Sequence, residues 1–131
     1  MKEIEVSYTS TSWEESTALE LANGGKLNRT KAGFSYTKGM IGTSQLEYLL
    51  RYRSDGTGEF TGWEEFTGTF DGQEGTILLR HEGLFFAHSV ETDITSVPGS
   101  GTGALTNLEA KAHVELSGTS DYSMTMRFSG I

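Results

Sequence analysis

The stretch GEFTGWEEFTGTFDGQEGTILLRHEG, Gly58 to Gly83, decides the fold. Before Asp71-Gly72, the residues Phe60, Glu64, Phe66 and Phe70 share one parity with Gly62 and Gly68. After it, Ile77, Leu79 and His81 recur at every second position. Strict alternation places successive side chains on opposite faces of a strand, so each run predicts a strand with one apolar face. An Asp-Gly pair between two such runs is a strong hairpin signal, because both central residues tolerate positive φ.

The same period continues outward. Leu46, Tyr48, Leu50 and Tyr52 alternate with Glu47, Leu49, Arg51 and Arg53, and Ser54-Asp55-Gly56-Thr57 then turns the chain. Ile4, Val6 and Tyr8 form another run, as do Phe34 and Tyr36. Gly83 is read as a break, with a strand following that carries Phe86, His88, Val90 and Ile94 on one parity. Ala112, Val114 and Leu116 come next, then a turn at Ser117–Ser120, then Tyr122, Met124, Met126 and Phe128. Two short segments, Glu14–Ala22 and Ala104–Ala110, are the helix candidates, the second no more than a turn or irregular loop. The fold class expected is all-β: a single antiparallel closed β-barrel of about eight strands with little helix, one domain over residues 1–131. Closure also removes the edges that would otherwise aggregate.

Composition agrees and excludes several classes. The chain has 131 residues, enough to bury roughly two-thirds of its unfolded surface. Glycine and threonine each occur 17 times and proline once, at Pro98, which suits strands joined by tight turns. Without cysteine there are no disulfides, thiolate metal sites or cysteine nucleophiles. Ten basic against 18 acidic residues, a net charge of −8, argue against nucleic acid as a partner. Glu3 and Glu5 interrupt any signal-like apolar run, and no stretch approaches the ~20 apolar residues of a spanning helix. A cytoplasmic location and no membrane partner are therefore expected.

At two blocks the residues become specific. EYLLRYRSDGTGEFTGWEEFTGTFDGQEGTILLRHEG, from Glu47 to Gly83, and SVPGSGTGALTNLEAKA, from Ser96 to Ala112, resemble the bacterial domain-of-unknown-function family 3224. The resemblance extends from about Trp13 to Phe128. It implies a barrel similar to that of plant allene oxide cyclase, and it implies no established activity and no catalytic residues. No residue motif here matches the plant enzyme's site, and shared architecture is a weak warrant for function.

The functional question is whether the barrel interior is filled or holds a small ligand. Glu64 lies on the apolar parity of its strand, where a carboxylate is costly unless paired or protonated. Position sums of 143 to 145 about the Asp71-Gly72 turn set His81 opposite Gly62 or Glu64. Tyr48 and Tyr52 share that face from the preceding strand, and His88 is expected to reach it from the following one. An apolar chamber lined by Tyr48, Tyr52, Phe60, Phe66, Ile77 and Phe86, with Glu64, His81 and His88 as polar groups, suits a small hydrophobic or amphipathic ligand. A second reading makes it an isomerase or cyclase with Glu64 as acid–base, on the ground that burial raises a carboxyl pKa, and with His81 as a second catalytic candidate. A third is a filled barrel acting as an oligomeric or partner-binding module. The bland account of the same polar cluster is that it closes its own hydrogen bonds and sets register.

Other motifs carry less. The histidines lack H-x-H spacing, so a metal site would need His81, His88 and Glu64 to meet in space, and no metal or other cofactor is expected. Gly99-Ser100-Gly101-Thr102-Gly103 lacks the Lys-Ser/Thr of a phosphate loop and is read as a turned loop at the barrel mouth. No G-x-S-x-G elbow is present. Glu47, Arg51 and Arg53, facing Glu59 and Glu65, would form exposed ion pairs, and His113 falls on the polar parity. Leu49 and Trp63 on that outer face suggest a homo-oligomer contact.

Overall fold

In the computed structural model, which describes residues 1–117 and 121–131, eight antiparallel strands close into a barrel in the order β1-β2-β3-β4-β5-β6-β7-β8. They are β1 (Lys2–Glu20), β2 (Lys26–Lys38), β3 (Met40–Tyr52), β4 (Gly58–Phe70), β5 (Gln73–Phe85), β6 (Val90–Ser96), β7 (Glu109–Leu116) and β8 (Asp121–Ser129). β1 closes the sheet against β8, from Lys2 opposite Phe128 to Thr9 opposite Asp121. None of the helices among the described residues is long and apolar enough to cross a membrane.

The Asp71-Gly72 hairpin forms as its sequence dictates. Phe70 pairs with Gln73, and the two residues between them have φ of 49° and 79°, as a type I′ turn requires. The register sum is therefore 143: His81 lies opposite Gly62, and Glu64 lies opposite Leu79. Glycine is needed at two of these cross-strand positions. A Cβ on Gly62 would come within 2.5 Å of Cδ1 of Tyr48, and one on Gly83 within 2.6 Å of Cζ of Phe60. In each case an aromatic ring lies over the bare backbone of its partner strand. Gly83 thus sits inside β5 rather than ending it, a correction to the break expected there.

Three further expectations are overturned. Glu14–Ala22 is not helical: β1 continues to Glu20, pairing from Trp13 opposite Ala32 to Glu20 opposite Lys26. The segment is exposed and has no apolar helical stripe to bury, so pairing with the long β2 determines its conformation. Register shifts at Ser7/Tyr8, Ser10/Ser12 and Thr17/Leu19 let this 19-residue strand bend around the rim. The strand expected to begin at Phe86 begins at Val90, and Phe86 to Ser89 form the β5–β6 turn, closed by a bond from Phe86 N–H to Ser89 O. Inward residues are odd-numbered on β5 and even-numbered on β6, and this turn is where the parity changes. The glycine loop around Gly99–Gly103 lies at the end opposite the one expected. It joins β6 to β7 beside the Asp71-Gly72 turn, and its single 3-10 turn, Gly103–Leu105, buries Leu105 completely. The expected turn at Ser117–Ser120 falls, from Gly118 on, outside the described residues.

The two ends of the barrel therefore differ. At one, the core is filled by Val6, Met40, Phe66, Phe70, Leu105, Met126 and Phe128, all with 2% exposure or less. At the other, the β1–β2, β3–β4 and β5–β6 turns surround an opening.

Candidate functional site

Behind that opening is a chamber of about 440 Å³. Of the residues expected to line it, Tyr48, Tyr52, Phe60, His81, Phe86 and His88 do so. Glu64, Phe66 and Ile77 do not: they are 0–1% exposed and sealed beneath it. His88 sits exposed on the β5–β6 turn at the rim instead of reaching the interior from a strand. With His88 on the turn and Glu64 sealed below, the three-ligand arrangement with His81 is not formed. Among the described residues, side chains grouped closely enough to share an ion are Glu91, His113 and Glu115 on the outer face.

The boundary between the halves is a buried hydrogen-bond network. Glu64 Oε2 accepts from Tyr36 Oη at 2.5 Å and from Ser44 Oγ at 2.5 Å. Its Oε1 lies 2.7 Å from His81 Nε2, and His81 Nδ1 lies 2.8 Å from Tyr48 Oη. Both ring nitrogens of His81 are engaged: Nε2–H donates to the carboxylate, and Nδ1 shares a hydrogen bond with the Tyr48 hydroxyl. Burial pushes the Glu64 pKa up, but the His81 hydrogen bond and charge, with Ser44 and Tyr36, outweigh it and leave the carboxyl below its ordinary 4.5. The direction is opposite to the one expected from burial alone, because three donors converge on one carboxylate. Desolvation first, and Glu64 second, push the hydroxyls of Tyr36 and Tyr48 well above their usual range. The result is a charged acceptor held by three donors beneath a floor of Tyr48 and His81, with both His81 nitrogens engaged.

The sequence reading missed much of the wall and of the network beneath it. Tyr36 and Ser44 were within reach, since Ser44 continues the inward parity of Leu46 to Tyr52 and Phe34 faces Ser44 across the β2–β3 hairpin. Tyr8, stacked on Tyr36 with centroids 5.0 Å apart, also fits its strand's parity. Trp13 and Glu15 carried no such signal, because the bulges of β1 shift its parity before them. Glu15 lies at the mouth and accepts from Asn28 Nδ2 at 2.6 Å, Tyr52 Oη at 2.6 Å and Trp13 Nε1 at 3.2 Å. Burial raises its pKa, yet these three hydrogen bonds and Lys26 bring it below the ordinary value. Trp13 leans toward Tyr48, with ring centroids 6.2 Å apart.

On the outer face Glu59 pairs with Arg51 at 2.6 Å and Arg53 at 3.4 Å, exposed contacts worth roughly 0–1 kcal/mol each. His113 is exposed, 2.7 Å from Asp93. Leu49 and Trp63 are 44% and 47% exposed, and Arg80 lies over the Trp63 ring.

Comparison with known proteins adds the family and supports the fold. The family described as a protein of unknown function, DUF3224, matches residues 4–128. A DUF3224-family protein of unknown function from Shewanella oneidensis MR-1, known from a crystal structure, superposes with a TM-score of 0.82 at 18% identity, covering 100% of this chain and 98% of that one. No curated protein matches.

Proposed function

Since this chain belongs to the DUF3224 family, described only as of unknown function, we propose its role from its own chamber: it binds one small hydrophobic or amphipathic molecule in the open half of the barrel. The carrying observation is the chamber itself, about 440 Å³ walled by Tyr48, Leu50, Phe60, Phe85 and Ile94, with His81 in its floor. A concave apolar site with few convergent polar groups is what small-molecule recognition requires. The filled-barrel alternative fits the opposite end of the molecule better than this one.

The isomerase or cyclase alternative is less well supported. Glu64 reaches the chamber only through His81 and Tyr48, and its lone pairs are held by three donors, which makes it a poor proton acceptor.

The test uses N-phenyl-1-naphthylamine, a neutral apolar fluorophore. Its emission should rise and saturate at one site per chain, and Leu50→Trp, which fills the chamber, should abolish the rise while keeping the folding transition. Native mass spectrometry of the purified protein should show a releasable small-molecule adduct. No saturable probe uptake and no adduct would withdraw the proposal.

A further inference from the structure

The mouth of the chamber carries a charge that its interior does not answer. Glu15 lines it, and the three groups that donate to its carboxylate, on Asn28, Tyr52 and Trp13, are all neutral. They orient the carboxylate without cancelling its charge. Among the described residues neither lysine nor arginine lines the chamber, and the whole chain carries −8.

Aromatic rings run from this carboxylate into the chamber, beginning with its donors Trp13 and Tyr52. Trp13 is tilted against Tyr48, Tyr48 against Phe60 with centroids 4.9 Å apart, and Tyr52 against Phe85 at 4.7 Å. The faces of such rings are electronegative and attract cations, most strongly where water is excluded. This corner already receives an ammonium from the protein: Lys26 Nζ lies 5.0 Å from the centroid of Tyr52. Of the two histidines in the lining, His88 is exposed at the rim, and His81 has both ring nitrogens engaged.

Resting on the chamber reading above, we propose that the ligand is a cationic amphipathic amine, its ammonium held at the mouth by Glu15, Trp13 and Tyr52 and its apolar body directed inward toward Phe60 and Ile94. Charge sets the class and the aromatic wall sets the body. An anionic amphiphile of the same size would place its head group against Glu15 and is rejected. Lys26 competes for the same corner and sets an upper limit on affinity.

Three probes with one body separate the possibilities by calorimetry: 4-phenylbutyltrimethylammonium, 4-phenylbutan-1-ol and 4-phenylbutyrate. The ammonium should bind about tenfold or more tightly than the alcohol, and the carboxylate should bind weakest. Glu15→Gln should reduce the ammonium's affinity to near that of the alcohol and leave the alcohol unchanged, whereas Lys26→Gln should strengthen the ammonium. If the alcohol binds as tightly as the ammonium, or the carboxylate binds best, the cationic assignment is overturned and the chamber stands. If none of the three binds, and the neutral fluorophore also fails to enter, the chamber reading falls and takes this assignment with it.

Discussion

The two halves of this barrel are built from the same strands and differ in what meets inside them. In the closed half, Phe70 and Phe128 meet edge to face, Phe66 packs on Tyr36, and Leu105 from the β6–β7 connection plugs the end, so each side chain is buried on every side. In the open half, rings of similar size stand around a space of about 440 Å³, because among the described residues the turns at that end carry no buried side chain equivalent to Leu105. Glu64 and its three donors lie at the boundary. The contrast teaches that a barrel of this size is not intrinsically hollow or full. The connection at each end decides which.

Breaking the boundary should have the largest effect. Glu64→Ala leaves Tyr36, Ser44 and His81 buried without their acceptor, and thermal or urea unfolding should register a loss of about 3–5 kcal/mol. Glu64→Gln keeps the shape and some of the hydrogen bonds and should lose about 1–3 kcal/mol. Nearly equal effects from the two would remove the network from its place at the boundary.

The halves should next separate by truncation. Phe66→Ala in the closed half should cost about 3–5 kcal/mol. Phe60→Ala should cost less, because the ring already faces open space on one side and forfeits fewer contacts. Equal losses in urea melts would mean that the open half is packed like the closed one.

Acid sharpens the same contrast. With its folded pKa below the ordinary 4.5, Glu64 contributes stability that is complete above that value and is lost as pH falls through the folded one. Wild type and Glu64→Gln should therefore converge in stability between pH 5 and pH 2, read from urea midpoints, by the linkage expected of a depressed carboxyl. A constant difference across that range would show that Glu64 is not charged in the fold.

The smallest effect concerns neither half but the outer face. A second copy of the chain is proposed to cover Leu49 and Trp63, so sedimentation should give more than the monomer mass at micromolar concentration, and Trp63→Ser should shift it toward monomer. A monomer in the wild type would dismiss this interface and leave the comparison of the halves intact.

Legibility in the sequence followed the range of the interactions. The β4–β5 hairpin was readable to within two pairings, His81 opposite Gly62 or Glu64, because Asp71-Gly72 confines its register locally, and the structure selects Gly62. The inward position of Glu64 and His81 followed from parity. What parity could not give was depth. Glu64 and His81 share a face, yet one is sealed and the other lines the chamber. His88 and Phe86 were misplaced because a four-residue turn reversed the parity, and Glu14–Ala22 because pairing with β2 overrides weak local preference.

By itself, then, the sequence determined an antiparallel all-β chain, its hairpin at Asp71-Gly72 and the inward face of Leu46 to Leu50, Phe60 to Phe70, Ile77 to His81 and Met124 to Phe128, since alternation and turn chemistry act between near neighbours. The closed barrel was expected from the sequence, but only the tertiary structure decided the register in which β1 closes on β8, that the glycine loop plugs one end, and that Trp13 and Glu15 guard the other. Those outcomes depend on groups far apart in the chain meeting across the closed barrel, and no local pattern encodes which of them will meet.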